Sequence, residues 1–268
     1  MTKPPGLVAL DIDGTLLDVA DQISATARDA VRAVVDAGSH VVLATGRSLF
    51  GVEPVIDALD LTDGYVVASN GAVTFTYHPV EVLATVTFDA GPAVQAVLEH
   101  VPDALVAVEV VGDGYRVNRP FPAGEITGQM WVESVDSLVS EPVTRVIIRD
   151  PQSSAADFVR LAASLGLHET SYFVGYTAWL DLAPEGVSKA SALQVVAERL
   201  GVRQADVLAI GDGRNDLEML SWAGRGVAMG QAPAEVKTAA DAVTGAFVDE
   251  GAAEELGRWF PVTQPIRR

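Results

Sequence analysis

Two short acidic stretches stand out in this 268-residue chain. In LVALDIDGTLLD, residues 7–18, an apolar run ends on Asp11 and Asp13, with Ile12 alone between them. Carboxylates this close repel each other, which raises at least one pKa unless a cation or a proton separates them. In GDGRND, residues 211–216, Asp212 and Asp216 follow a second apolar run. Four carboxylates without imidazole or thiolate form a hard-oxygen donor set, which suits Mg²⁺ better than a transition metal.

Beside the acids stand groups suited to an anion. Thr45 and the backbone N–H of Gly46, in TGR at 45–47, can donate to an anionic oxygen; Lys189, in GVSK, can offset its charge; Asn215 adds a donor. An anion site next to a metal site is what phosphoryl transfer requires. A carboxylate can also attack phosphorus itself and split one hard step into two. That role falls to Asp11 if it is aimed at the phosphorus. Asp13 then points to the same side and can carry a proton to the leaving oxygen, and later one from the attacking water. Arg47 has two readings, a contact to phosphate or a salt bridge at a helix start. Asp216 also has two, holding a metal or capping a helix at ~1 kcal/mol.

These residues sit where short apolar runs stop. LVAL (7–10), VVLA (41–44), VVA (66–68), VLAI (207–210) and GVAM (226–229) show little alternation, the pattern of strands buried on both faces of a parallel sheet. Ser24 is the expected N-cap of a helix to about Ala37 that buries Ala27, Val31, Val34 and Val35 and stops at Gly38. Residues 48–59, 188–200 and 215–223 read as further helices. Strand then helix, repeated, predicts an α/β fold with a doubly wound parallel sheet, whose ligands bind at the carboxyl ends of the strands. From about Val73 to Ala183 the rhythm changes to β-like stretches (73–77, 82–88, 105–110, 143–148, 171–182) and helical patterns near 90–100 and 154–165. That grouping predicts an α+β module inserted into the α/β core.

Composition narrows the function classes. With 36 acids against 18 bases the formal charge is −18, a surface that repels DNA, RNA and anionic lipid. Cysteine is absent, which excludes disulfides and thiolate metal sites and fits a reducing compartment. MTKPPG passes straight into the first strand before any signal-peptide core can form, and the longest uncharged run, 64–80, is too polar to span a membrane. The expectation is a cytoplasmic protein, a monomer or homodimer, with no nucleic-acid or membrane partner. Trp131, Trp179, Trp222 and Trp259 read as core or interface residues rather than stacking platforms.

Taken in order, DIDGT (11–15), TGR (45–47), Lys189 within GVSK (186–189) and GDGRND (211–216) resemble the motifs of the haloacid dehalogenase-like (HAD) phosphohydrolases, in particular the Cof-type group with a large α/β cap. SNGA (69–72) and VAMG (227–230) add to the likeness, which spans nearly the whole chain. The resemblance implies a Rossmann-like core of residues 1–78 and 184–268 with a cap of residues 79–183. The cap would close over the site and choose the leaving group. It implies a Mg²⁺-dependent phosphatase that hydrolyses a small phosphorylated metabolite, foremost a sugar phosphate, through an aspartyl-phosphate. By similarity Asp11 is nucleophile and metal ligand, Asp13 the acid/base that lends its backbone carbonyl to the metal, and Asp212 the third protein ligand. Asp216 holds metal-bound water, and Thr45, Gly46, Lys189 and Asn215 bind the phosphoryl group. The group often has Asn where this chain has Gln231, a position outside the motifs. Two rivals remain: a phosphomutase using the same Asp11 chemistry, and a catalytically idle metabolite-binding protein on the same fold.

Overall fold

The computed structural model describes residues 3–18, 21–165, 170–174 and 179–261. Its strands, in chain order, begin with β1 (Leu7–Leu10), β2 (His40–Ala44), β3 (Gly64–Ala68), β4 (Val73–Tyr77) and β5 (Glu81–Thr85). Then come β6 (Leu105–Val110), β7 (Gly114–Val117), β8 (Gln129–Val132), β9 (Val146–Arg149), β10 (Thr170–Val174) and β11 (Trp179–Pro184). The last are β12 (Val207–Gly211), β13 (Arg225–Ala228) and β14 (Ala242–Val243). The helices are α1 (Ala25–Asp36), α2 (Leu49–Ala58), α3 (Gly91–His100), α4 (Val135–Leu138), α5 (Ala155–Leu165), α6 (Lys189–Leu200), α7 (Leu217–Trp222), α8 (Ala234–Ala239) and α9 (Gly251–Trp259).

One sheet runs β14-β13-β12-β1-β2-β3-β4-β5, parallel as far as β3 and antiparallel at β4 and β5. Its inner strands, β1, β2, β3, β12 and β13, are apolar on both faces because both faces are covered. Val8 and Leu10 point into a cluster with Val31 of α1, Val52 of α2 and Leu256 of α9. Leu7 and Ala9 point the other way, against Leu193 and Val196 of α6 and Met219 and Leu220 of α7. A strand covered twice has no solvent side to mark with polar residues, which is why LVAL does not alternate.

The second sheet, β10-β11-β9-β6-β7-β8, is antiparallel except at β7–β8. Here alternation governs. Val106, Val108, Val146, Ile148, Leu180 and Leu182 pack against Val94 and Val97 of α3 and Phe158 of α5. The residues between them, among them Ala107, Glu109, Ile147 and Asp181, lie on the other face, since side chains of a strand change sides at each step.

Several local expectations shift. Ser24 Oγ accepts from the Ala27 N–H at 2.9 Å as a cap should, yet Val35 is 45% exposed because it falls at the margin of the apolar stripe of α1. β5 lies beyond residue 78 and pairs with β4 in the first sheet. The stretch expected as a strand over 171–182 divides into β10 and β11, and residues 175–178 lie outside the described residues. β7 and β8 have no counterpart in the apolar pattern. Among the described residues, no helix is long and apolar enough to cross a membrane.

Candidate active site

β1 lies between β2 on one side and β12 on the other, so the loops leaving β1 and β12 flank the point where the strand order reverses. Crevices open at such points in α/β sheets. The Asp11 N–H extends the ladder to Ile210 O at 3.0 Å. Ile12 is fully buried in the core, and its anchoring turns its two acidic neighbours away from the apolar layer. Gly14, at φ +80°, completes the turn; a Cβ there would collide with the Asp212 carboxylate. Glycine thus lets the two acidic loops approach.

Lys189 opens α6 behind an N-cap at Ser188, whose hydroxyl and that of Ser191 bond reciprocally to each other's backbone N–H. Its side chain is fully buried, with Nζ 2.6 Å from Asp11 Oδ1 and 2.6 Å from Asp216 Oδ1. Asp216 Oδ2 accepts from the N–H groups of Asp212 (2.9 Å) and Gly213 (2.8 Å), so it organises its loop and meets Lys189 at once. Asp11, Asp212 and Asp216 present carboxylate oxygens within 4.8 Å of one another. Burial holds the Asp11 carboxyl well above the usual range; Asp216 raises it further, Lys189 opposes, and Asp212 and Asp13 add repulsion. One ammonium among three buried carboxylates leaves uncompensated negative charge, which a divalent cation with oxygen preference fits. The donor set is therefore compatible with Mg²⁺.

The loops after β2 and β3 lock each other. Asn70 N–H donates to Thr45 O at 3.0 Å, Ser69 N–H to Arg47 O at 2.9 Å, and Arg47 N–H to Thr45 Oγ1 at 3.0 Å. Ser69 and Asn70 sit at φ 49° and 55°, the left-handed region that Asn tolerates better than most residues. This turn brings Asn70 Oδ1 to 2.9 Å from Asn215 Nδ2. A cavity of about 400 Å³ opens here, lined at its floor by Asp11, Asp13, Gly46, Asp212 and Asn215. Thr45 and Lys189 are fully buried and are not among its lining residues. The Asp13 side chain, 57% exposed, is gripped by Arg47 through Nη2–Oδ1 at 2.6 Å and Nε–Oδ2 at 3.0 Å, and Arg47 also bonds Asp21. Of the two readings of Arg47, these contacts supply the salt bridge, and its place in the cavity lining is compatible with the other.

Other members of the site come from the second sheet and carry no motif. Arg145 forks onto Asp181, Nε–Oδ1 at 2.8 Å and Nη2–Oδ2 at 2.6 Å, and its Nη1 donates to Tyr115 OH at 3.1 Å. Asn70 Nδ2 donates to Asp181 Oδ2 at 3.3 Å, joining the two sheets. Buried Glu109 accepts from Ser69 Oγ (2.7 Å) and Thr144 Oγ1 (2.8 Å). Desolvation pushes its carboxyl up, against Arg145 and these hydroxyls. The signal available in sequence was a charged residue inside an alternating strand, Glu109 in LVAVEV and Asp181 in WLDLAP. Trp179, expected in core or interface, lines the cavity, edge-on to Phe121 at 6.4 Å. Gln231 belongs to the site as well. Its Nε2 donates to Gly14 O at 2.6 Å and Asp212 Oδ2 at 3.2 Å, and its Oε1 accepts from Phe247 N–H at 2.9 Å.

The chain has relatives with which this geometry can be compared. A family model described as haloacid dehalogenase-like hydrolase matches residues 8–256. The putative phosphatase YxeH of Bacillus subtilis (strain 168) is 28% identical over 273 residues, 93% of this chain and 96% of its own. A phosphoglycolate phosphatase of Natronomonas pharaonis is 33% identical over 251 residues, 94% of this chain and 96% of its own. Among solved structures, BT1666 from Bacteroides thetaiotaomicron, described among phosphatases of the HAD superfamily, superposes with a TM-score of 0.79 at 28% identity, covering 98% of this chain and 97% of that one.

Proposed function

The chain belongs to the haloacid dehalogenase-like hydrolases, and on that premise we propose that it is a Mg²⁺-dependent phosphatase of a small phosphorylated metabolite, foremost a sugar phosphate, acting through an aspartyl-phosphate on Asp11. The observation that carries the reading is the buried cluster of Asp11, Asp212 and Asp216 around the Lys189 ammonium, beneath an open cavity. The names of its relatives as phosphatases support it.

Asp11, Asp212, the backbone carbonyl of Asp13 and, through water, Asp216 would hold Mg²⁺, which would supply electrostatic stabilisation of the phosphoryl oxygens. Asp11 attacks phosphorus and takes up the phosphoryl group as the ester oxygen leaves. Asp13 gives that oxygen a proton, then takes one from the water that cleaves the acyl-phosphate. Lys189 favours the ionised form of Asp11 and offsets the phosphoryl charge, while Thr45, the Gly46 N–H and Asn215 hold phosphoryl oxygens. We divide the chain into a core, 1–78 and 184–268, and a cap, 79–183, that covers the site, with β5 just past that boundary still extending the core sheet beside β4. A cytoplasmic location, a monomeric or homodimeric state and the lack of nucleic-acid or membrane partners are parts of the same proposal. The absence of cysteine supports the location, and the −18 charge the lack of nucleic-acid or anionic-membrane partners.

The test is phosphate release across a panel of phosphorylated metabolites with Mg²⁺, for the native chain and for Asp11→Asn. Release by the native chain and silence of a folded Asp11→Asn are expected. An isomerised sugar phosphate without free phosphate would move the reading to a phosphomutase, and no turnover of any kind would leave only a binding role.

A further inference from the structure

The two ends of the cavity differ in chemistry. At the floor are the acids of the first sheet; the opposite wall is the face of the second sheet that carries Tyr115, Arg145, Ile147, Trp179 and Asp181. Charge on that wall is already balanced. The Arg145 fork is filled by Asp181, and its remaining Nη1 donates to Tyr115 OH. Among the described residues that line the cavity, the other two cations, Arg47 and Arg214, also hold carboxylates: Arg47 those of Asp13 and Asp21, Arg214 that of Glu235 at 2.5 Å. Six carboxylates share the same space: Asp11, Asp13, Asp21, Glu125, Asp181 and Asp212. Lys189 lies between Asp11 and Asp216, where its charge faces the phosphoryl end.

We propose that this wall selects phosphate monoesters whose leaving group is uncharged and hydroxyl-bearing and rejects those that bring a second anion, with the Arg145–Asp181 pair as the specificity-determining group. The inference rests on the phosphatase reading above. A hydroxyl both donates and accepts, so it can bond Asp181 or Tyr115 without displacing the ion pair. A carboxylate or second phosphate only accepts. Asp181 is filled by Arg145 and Glu125 by Arg149, Nε–Oε2 at 3.2 Å, so such an anion would meet carboxylates whose guanidinium partners are already engaged, in a partly desolvated space that offers it no free cation among the described residues. Ile147 and Trp179 add apolar surface suited to the C–H faces of a sugar or polyol. Asn70 fixes the spacing of the two ends, since its amide bonds Asp181 on the wall and Asn215 at the floor. A glycolate leaving group, which carries a carboxylate, is therefore disfavoured in this chain.

The experiment measures kcat/KM of the native chain with Mg²⁺ for ribose 5-phosphate, phosphoglycolate and 3-phosphoglycerate, and repeats it for Asp181→Asn, with thermal unfolding to show that the variant folds. The native chain should favour ribose 5-phosphate by about tenfold or more. In Asp181→Asn the Arg145 guanidinium loses its bidentate carboxylate partner, and the ratio should shift toward the two carboxylate-bearing esters by about tenfold. Equal or preferred turnover of phosphoglycolate by the native chain overturns the inference, whether or not the variant folds, and leaves the phosphatase reading standing. An unchanged ratio in a folded Asp181→Asn also overturns it. Failure of the native chain to turn over ribose 5-phosphate overturns the inference as well, while the phosphatase reading falls only if the whole metabolite panel is silent.

Discussion

The Lys189 ammonium lies 2.6 Å from the Asp11 carboxylate, with the lysine side chain wholly and the aspartate almost wholly shielded from solvent. Two ions placed so deep are tolerable only as partners, because removing one leaves the other charge buried and uncompensated. Lys189→Met should therefore destabilise the metal-free protein by about 3 to 5 kcal/mol, measurable by urea denaturation, and should lower turnover steeply. A variant with native stability would show that Lys189 is not the counter-ion on which the acidic cluster depends.

Asp13 contrasts with Asp11. It is exposed, and its partner Arg47 is shared with Asp21, so its ion pair contributes ~0 to 1 kcal/mol. Asp13→Ala should melt close to the native temperature while kcat falls by a factor on the order of 10² to 10⁴. Steady-state kinetics beside a melting curve separates the two effects, and an undiminished kcat would remove the acid/base role.

The crowding of Asp11, Asp212 and Asp216 within 4.8 Å makes a testable claim about divalent cations. Mg²⁺ at a hundred times its Kd should stabilise the fold by about 2.7 kcal/mol, seen as a rise in melting temperature that EDTA reverses. Asp212→Asn should blunt that rise. Indifference of both melting and turnover to chelation would count against the cluster as a metal site.

Glu109 gives the fold a pH dependence of known sign. Burial raises its carboxyl above the ordinary value of 4.5, with Arg145, Ser69 and Thr144 opposing. The folded state thus holds this proton more tightly than the unfolded chain does. The stabilising contribution is complete below the ordinary value and is lost as pH rises through the raised one. Glu109→Gln keeps a group that can accept from Ser69 and Thr144 but has no proton to lose. Relative to the native chain, the variant should gain stability as pH is raised from about 4 to 8, measured by denaturation midpoints at intervals. A difference that stays flat across that window would show that Glu109 does not titrate abnormally.

The parts legible in the sequence share a physical trait: each is encoded locally. LVAL and VLAI announce strands covered on both faces because burial on both sides removes alternation. Ser24 announces a helix start because a cap needs one hydroxyl and three residues of spacing. Asp11, Asp13, Thr45, Gly46, Lys189, Asp212, Asn215 and Asp216 were readable because each sits where an apolar run or a helix begins or ends. Val35 shows the limit even of local periodicity, since a position at the margin of a helical stripe is decided by what packs beside it.

The rest depended on pairings across long stretches of chain. Arg145 meets Asp181 across 36 residues and Asn70 reaches Asp181 across 111, by way of strand register and a turn whose geometry no periodicity encodes. Gln231, 217 residues from Gly14, joined the site in the same way. By itself the sequence determined that carboxylates, an ammonium and hydroxyl or amide donors stand at the carboxyl ends of buried strands, because apolar periodicity fixes where strands stop. Tertiary structure alone decided which of those carboxylates share Lys189, which one faces solvent beside Arg47, and which wall faces them. Contacts within the site between segments up to 217 residues apart follow from the order of strands in the sheet, not from any local preference of the chain.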